Sequence, residues 1–255
     1  MKYLSRLRIT LLTFIIMFPF LVLTFMSFTK SWFYPSLFPK VWTWEAWQFV
    51  LSDEDFLMLM LKSSALSVSV ALISTILAFF VTRQLYLFRF DQRIYSVAYL
   101  PYSFSPVIYA FCIQFMFIQI GLRGSYFGVF IAQLLISFPY SVLLFSKHWG
   151  NKMRNLEAVS LSLGASSTQT FLFITLPVSI RIIGLSLIQS FLISWFDYGL
   201  SWVIGAGSVN TITIKIYQYI SESNLAFASM ASLVLLLPPT VVVIIQNKIW
   251  NRYVA

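Results

Sequence analysis

Six stretches of this chain lack charge for long enough, or nearly long enough, to cross a bilayer: 9–29, 63–82, 94–122, 124–146, 182–196 and 223–247. A helix needs about 20 apolar residues to traverse the hydrocarbon. The fifth stretch reaches that length only when extended back to Val178, with Arg181 snorkelling toward the headgroups. The pattern predicts an all-α membrane protein of six transmembrane helices. Segment 197–222 is broken by Gly199, Gly205 and Gly207 and carries several hydroxyl residues, so it is expected as an outer re-entrant or surface segment. The third span contains Pro101 and Pro106, which kink a helix or delay its start. A kink there would let Tyr102 and Tyr109, two turns apart on one face, turn hydroxyls into a cavity. A helix starting near Pro101 would instead pack both rings against neighbours. The turn around Gly121 and Gly124 predicts that spans three and four are antiparallel neighbours, and Pro238-Pro239 predicts a bend in the sixth.

Composition agrees with the pattern. Only 10% of the 255 residues are charged, against about 25% in soluble domains. The net charge of +9 would suggest nucleic acid if the basic residues were scattered. With the N-terminus inside, however, 12 of the 17 Lys and Arg residues fall on inner segments, and the only inner acids are Asp91 and Glu157. The positive-inside rule then predicts both termini in the cytoplasm. No small-x-small cleavage site follows the first apolar run, so a retained anchor is expected rather than a signal peptide. The chain divides into an anchor helix with an outer segment (1–56) and a core (57–250) carrying a cytoplasmic loop (150–177). Trp32, Trp42, Trp44 and Trp47 crowd the outer segment, as interfacial anchors or as a contact for an external partner.

Candidate chemistry is sparse. One cysteine, Cys112, and one histidine, His148, cannot build a zinc site or an intrachain disulfide. His148 lies near Lys147, Lys152 and Arg154, a poor setting for a Ser–His nucleophile. No catalytic residues and no metal ligands are expected.

The stretch 155–177 stands out as polar and rich in small residues between two membrane-length runs. Asn155 is placed to N-cap a helix, with Glu157 in its first turn. Ala158, Ser160 and Ser162 keep the next turns small, and Gly164 suits the left-handed position after a helix end. Ser166 and Gln169 have capping-box spacing for a second short helix presenting Phe171, Leu172 and Ile174. Pro177 is expected to stop that helix and start the fifth span. Such a helix–turn–helix is either a docking element or a plain connector.

The stretch resembles the cytoplasmic loop of binding-protein-dependent ABC importer permeases, whose pattern is Glu-Ala-Ala, three residues, Gly, nine residues, Ile-x-Leu-Pro. Gly164, Ile174, Leu176 and Pro177 match in spacing, and Gly164-Ala165-Ser166 is a common form. The acidic half departs: Ala158 stands in the glutamate's place, Val159 and Ser160 in those of the alanines, and Glu157 is one residue early. The resemblance extends over roughly 57–250. It implies a type I importer permease in a bacterial cytoplasmic membrane, forming half of a pore with a second permease subunit. It further implies an extracytoplasmic binding protein, and a separate ATPase subunit holding ATP and Mg and receiving the loop. This chain itself has no Gly-x-x-x-x-Gly-Lys-Ser/Thr phosphate loop, so no enzyme activity and no bound cofactor are expected of it.

The sequence looks most like the branch serving polyamines, ferric iron, thiamine and phosphonates, whose members often carry acids where Asp197 lies. Asp197 ends the fifth span in SWFDYG, with Gln189 and Ser190 about two turns inward. Together with Tyr102 and Tyr109 they form a candidate path for a small polar or cationic solute. A solvated carboxylate at the helix end, with Gln189 and Ser190 bonding neighbouring helices, is the plainer reading. A secondary transporter or channel working without an ATPase remains the alternative.

Overall fold

The computed structural model describes residues 2–30, 39, 41–88 and 92–254, with backbone alone for residues 2–7, 9, 10, 92, 94, 247 and 249–254. Trp32, Lys40, Arg89 and Asp91 lie outside the described residues. The described residues form helices and no strand; one isolated bridge pairs Thr29 with Trp42. The helices are α1 (Lys2–Ser27), α2 (Glu45–Ser52), α3 (Glu54–Leu87), α4 (Pro106–Gln119), α5 (Tyr126–Ser146) and α6 (Asn151–Ser162). They continue with α7 (Ser167–Thr170), α8 (Leu176–Trp195), α9 (Gly199–Gly205), α10 (Ile212–Ser221), α11 (Leu225–Leu235) and α12 (Leu237–Val254). A 3-10 segment, Gln92–Ser103, precedes α4, and a π-helical stretch, Phe171–Thr175, joins α7 to α8 without a break.

Four helical runs among the described residues are long and apolar enough to span a membrane: Glu54–Leu87, Tyr126–Ser146, Ser167–Trp195 and Leu225–Gln246. A fifth appears if the 3-10 segment and α4, bent by 100° from each other, count as one span. The apolar part of α1 is Leu11–Ser27. The chain is thus a multi-pass membrane protein.

By packing, the chain forms two units, Met1–Leu61 with Thr211–Val241, and Lys62–Asn210 with Val242–Ala255. In the first, α11 is the hub on which α1, α2 and α10 pack. Its buried face is built of Ala226, Ala228, Ser229, Met230, Ala231 and Val234, small enough for close helix approach. The described part of the Trp-rich segment folds back on the end of α1. Trp47 Nε1 donates to Ser27 Oγ at 3.1 Å, and the Trp42, Trp44 and Trp47 rings lie against Phe25 and Phe28.

In the second unit, α5 packs on α8, α9 and the 3-10 segment, and α9 packs on α4. The turn with left-handed Gly121 and Gly124 does join α4 to α5. The two helices are nevertheless not chiefly each other's neighbours; both lie on α9, which returns between them in sequence order far later. Gly199 allows this approach, since a Cβ there would come within 2.7 Å of Val107 Cγ2 on α4. Of the two expectations for segment 197–222, re-entrant or surface, the surface one does not fit its first half. That half is a short helix whose Leu200, Ser201, Val203, Ile204 and Gly205 are buried.

The third span is broken at its prolines, as the kinked reading expects, and the alternative of a simple helix from Pro101 is corrected. The α-helix begins at Pro106 with Ser105 at the cap, not near Pro101, because a proline fits the first helical turn and bars a continuous helix across 101–106. Tyr102 and Tyr109 consequently sit on different elements across the bend, not on one helical face. Pro238 and Pro239 fall in the first turn of α12, where missing N–H groups cost little, and the helix breaks just before them at Leu236.

Candidate coupling loop and membrane cavity

The loop is anchored by an aromatic cluster. Phe79 of α3 packs on Phe145, Trp149 and Phe171, with ring centroids 5.4–6.3 Å apart, and Tyr86 stacks on Trp149 at 5.5 Å. Ala78, Val142 and Met153 complete this buried core. Trp149 Nε1 donates to Thr82 Oγ1 at 2.8 Å, and the Arg83 guanidinium lies 4.2 Å over the Phe171 ring. The base of α6 and the π-helical stretch are thereby fixed to α3 and α5.

From that base α6 runs from Asn151 to Ser162, so Asn155 is an interior residue rather than the cap; Gly150 occupies the cap position. The sequence signal misled because Asn is a better cap than Gly, while the buried anchor formed by Trp149 and Met153 sets the actual start. The helix ends as the sequence indicates. Gly164 has φ of +87°, and Gly164 N–H and Ala165 N–H donate to the Leu161 and Ser160 carbonyls at 3.0 and 3.2 Å. Ser166 and Gln169 form the expected capping box, at 3.2 and 2.8 Å.

Beyond the box the outcome differs from expectation. Pro177 sits in the first turn of α8, yet the helix does not stop before it. The π-helical stretch Phe171–Thr175 carries α7 into α8, making one run of 29 residues, Ser167–Trp195. A widened turn accommodates a proline whose ring would clash with a regular α-helical carbonyl four residues back. Two hydrogen bonds brace the turn. Ser160 Oγ and Thr170 Oγ1 are 2.9 Å apart in a buried setting, and Thr175 Oγ1 donates to Glu157 Oε1 at 2.7 Å. Ala158, Val159, Leu161, Leu163 and Gly164 remain exposed, as do Leu172, Phe173 and Leu176. Leu163, 83% exposed, stands at the tip. Ala165 and Ile174 are partly buried.

At the other end of this helix, Asp197, one residue before the cap position Tyr198, holds the first turn of α9. Its carboxylate accepts from Leu200 N–H (3.2 Å), Ser201 N–H (2.9 Å), Ser201 Oγ (2.8 Å) and Gln133 Nε2 (3.1 Å). It is not the solvated helix-end carboxylate of the plainer reading. Asp197 and Tyr102 line one cavity of about 530 Å³, with Pro101, Phe104, Val107, Gln133, Phe196 and Tyr198 among its other walls. Tyr102 donates its hydroxyl to the Ile136 carbonyl. Tyr109 is partly buried against the core, Gln189 is partly buried on α8, and neither is a wall of this cavity. Ser190 is fully buried and paired with Ser141 at 2.9 Å.

Ser190 belongs to a seam of hydroxyls that the sequence reading did not assemble. Thr75, Ser186, Ser141 and Ser190 form one chain of contacts at 2.9–3.0 Å. Ser67, Ser194, Gln133, Ser201 and Asp197 form another, led by Ser194 Oγ donating to Gln133 Oε1 at 2.6 Å. These bonds stitch α3, α5, α8 and α9 together where apolar burial drives nothing in lipid. The signal was present: Ser186, Ser190 and Ser194 recur every four residues, as do Gln133, Ser137 and Ser141, so each set shares a helix face.

No family model matches the chain. Among curated proteins it is similar to a spermidine/putrescine transport system permease protein PotC homolog of Mycoplasma pneumoniae, 24% identical over 73% of this chain and 68% of the relative. It is also similar to the putative ferric transport system permease protein FbpB 1 of Haemophilus influenzae, 32% identical over 48% of this chain and 20% of the relative. The ferric transport system permease protein FbpB of Actinobacillus pleuropneumoniae is 28% identical over 68% of this chain and 28% of its own length. The matched region thus spans about two thirds of the first relative and less than a third of each of the other two. A crystal structure of a bacterial ABC transporter involved in import of the acidic polysaccharide alginate shares the fold, with a TM-score of 0.63 at 17% identity, covering 98% of this chain and 95% of that one. The chain is thus similar in sequence to permeases of polyamine and ferric transport systems, shares its fold with a bacterial ABC importer, and is itself a multi-pass helical membrane protein.

Proposed function

We propose that the chain forms half of a translocation pore in an ATP-driven importer and receives its drive through α6 and the turn at Gly164. The pore's other half is a second permease subunit. ATP and Mg are held by a separate nucleotide-binding subunit, and solute is delivered by an extracytoplasmic binding protein. In this reading the chain crosses the membrane six times with both termini inside, as the distribution of Lys and Arg favours. The bracing of the turn carries the proposal: a bare connector has no need of a capping box, a left-handed glycine stop and two hydroxyl cross-links within 20 residues.

The coupling follows from this construction. ATP can shift the permease between two states only if the ATPase grips them differently, so the gripped element must move as one body. Displacement of α6 reaches α8 through Ser160–Thr170 and Glu157–Thr175. The run from Ser167 to Trp195 spans about 43 Å at 1.5 Å per residue. It ends two residues before Asp197, whose carboxylate holds the first turn of α9 in the cavity wall. One rigid lever thus connects the cytoplasmic turn to the cavity. A small cationic or polar solute, of the polyamine, thiamine or ferric-iron kind, fits a path with Asp197 and Tyr102 on it; the relatives' names point the same way.

Gly164→Val tests the reading. Nothing lies within 4 Å of a Cβ at this position, so the strain is purely one of backbone, about 1–2 kcal/mol for a side chain held left-handed. The variant is expected to insert and fold but to lose co-purification with its ATPase and ATP-dependent uptake. Uptake that persists without the ATPase would instead support a secondary transporter or channel.

A further inference from the structure

Arg123 follows the end of α4, yet its guanidinium folds back along that helix. With the Gln114 amide turned so that its carbonyl faces the guanidinium, Arg123 Nη2 and Nε donate to Gln114 Oε1 at 3.1 and 3.2 Å. Gln114 lies five residues before the last residue of α4, about 7 Å down the axis. A cation is thus held alongside an apolar helix by a neutral partner. Of its five N–H groups, three remain after Gln114 is served.

The groove at this point holds about 270 Å³ and is lined by Phe111, Gln114, Arg123, Trp202, Val203, Ala206 and Gly207. Trp202 is 50% exposed and Phe111 54% exposed, and Phe115 on the next turn of α4 is 71% exposed. A guanidinium, an exposed indole and a wall of exposed aromatic rings meet in one place. In a membrane protein, tryptophan sits at headgroup level and bare apolar helix faces meet acyl chains.

We propose that this groove binds the headgroup phosphate of an anionic phospholipid. The phosphodiester accepts from the free Arg123 N–H groups in a charge-assisted pair, while an acyl chain lies along Phe111 and Phe115. Gln114 is a positioning residue, aiming the guanidinium without neutralising it. A soluble phosphate would use the cation but leave the aromatic wall without a role. The site needs no ATPase, binding protein or transport, so its fate is separable from the importer reading.

Native mass spectrometry of the detergent-purified chain, titrated with phosphatidylglycerol or phosphatidylcholine, tests it. The expected result is a phosphatidylglycerol adduct that survives activation stripping phosphatidylcholine. Arg123→Gln should weaken the adduct about tenfold, Arg123→Lys less, and Gln114→Leu should fall between them and wild type. Far-ultraviolet circular dichroism shows whether each variant is folded; should Arg123→Gln fail, Trp202→Ala and Arg123→Lys carry the comparison. Equal retention of both lipids by the wild type, or an unchanged adduct in a folded Arg123→Gln, overturns the proposal. So does inorganic phosphate alone raising the melting temperature as much as phosphatidylglycerol does.

Discussion

Ser160 and Thr170 share a buried hydrogen bond of 2.9 Å that closes the turn between α6 and the long helix after it. Both residues are buried, so the bond acts inside the loop. Removing one partner leaves the other buried and unpaired at about 1–3 kcal/mol, whereas removing both costs less than the sum. Ser160→Ala and Thr170→Val should each lower unfolding stability in detergent, with the double variant recovering about 1 kcal/mol in a double-mutant cycle. Strict additivity would mean that the two hydroxyls do not brace each other.

Glu157 tests what became of the acidic half of the loop pattern. Its carboxylate accepts from Thr175 Oγ1 across the same turn, at 2.7 Å. An internal brace needs only an acceptor oxygen, so Glu157→Gln should assemble with the ATPase almost as wild type does. Glu157→Ala and Thr175→Val should be impaired to a similar degree, by about 1 kcal/mol of lost bonding. If Glu157→Ala proves far worse than Thr175→Val in ATPase co-purification, the carboxylate grips the partner directly.

Asp197 has two separable roles. Holding the first turn of α9, it accepts from two backbone N–H groups, and losing capping bonds of this kind costs about 1–2 kcal/mol. As a charge in the cavity wall it would attract a cation. Asp197→Asn retains a capping oxygen and should stay within about 1 kcal/mol of wild-type stability, while Asp197→Ala should be clearly destabilised. Uptake of a cationic solute should fall sharply in Asp197→Asn and vanish in Asp197→Lys. Full uptake by a stably folded Asp197→Asn would remove the charge from the transport path.

How far the sequence revealed these features depends on the range of the forces involved. Local signals were readable: the left-handed Gly164 and the Ser166–Gln169 box depend on a few neighbouring residues, and both stand where the spacing put them. The start of α6 was not readable, because Trp149 and Met153 fix it by packing on Phe79 and Phe145, which lie far back in the chain. The placement of α9 between α4 and α5 was hidden for the same reason. Gly199 reads locally as a helix breaker, and only the approach of Val107 shows why a side chain is excluded there. The hydroxyl seam falls between these cases. Its four-residue spacing on α5 and α8 marks two polar faces, but not that Ser141 meets Ser186 and Ser190 while Gln133 meets Ser194.

His148 gives the loop base a pH dependence whose sign can be worked out. Its Nε2 lies 2.8 Å from Ser179 Oγ, and Ser179 donates to the Thr175 carbonyl at 2.6 Å. A hydroxyl has one proton to give, so Nε2 is the donor and the neutral ring carries its hydrogen there. Protonating the other nitrogen leaves this bond intact but places a charge among Trp149 and its neighbours. Burial accordingly pushes the imidazole below its ordinary value of 6.5. The unfolded chain therefore takes up the proton first. Stability is unaffected above about pH 6.5 and falls as pH drops from there through the lower folded-state value. Melting temperatures of the detergent-purified protein between about pH 5 and 8 should show this decline. His148→Gln, which keeps an N–H for Ser179 but cannot be charged, should flatten it. An undiminished slope in that variant would remove His148 from the acid response.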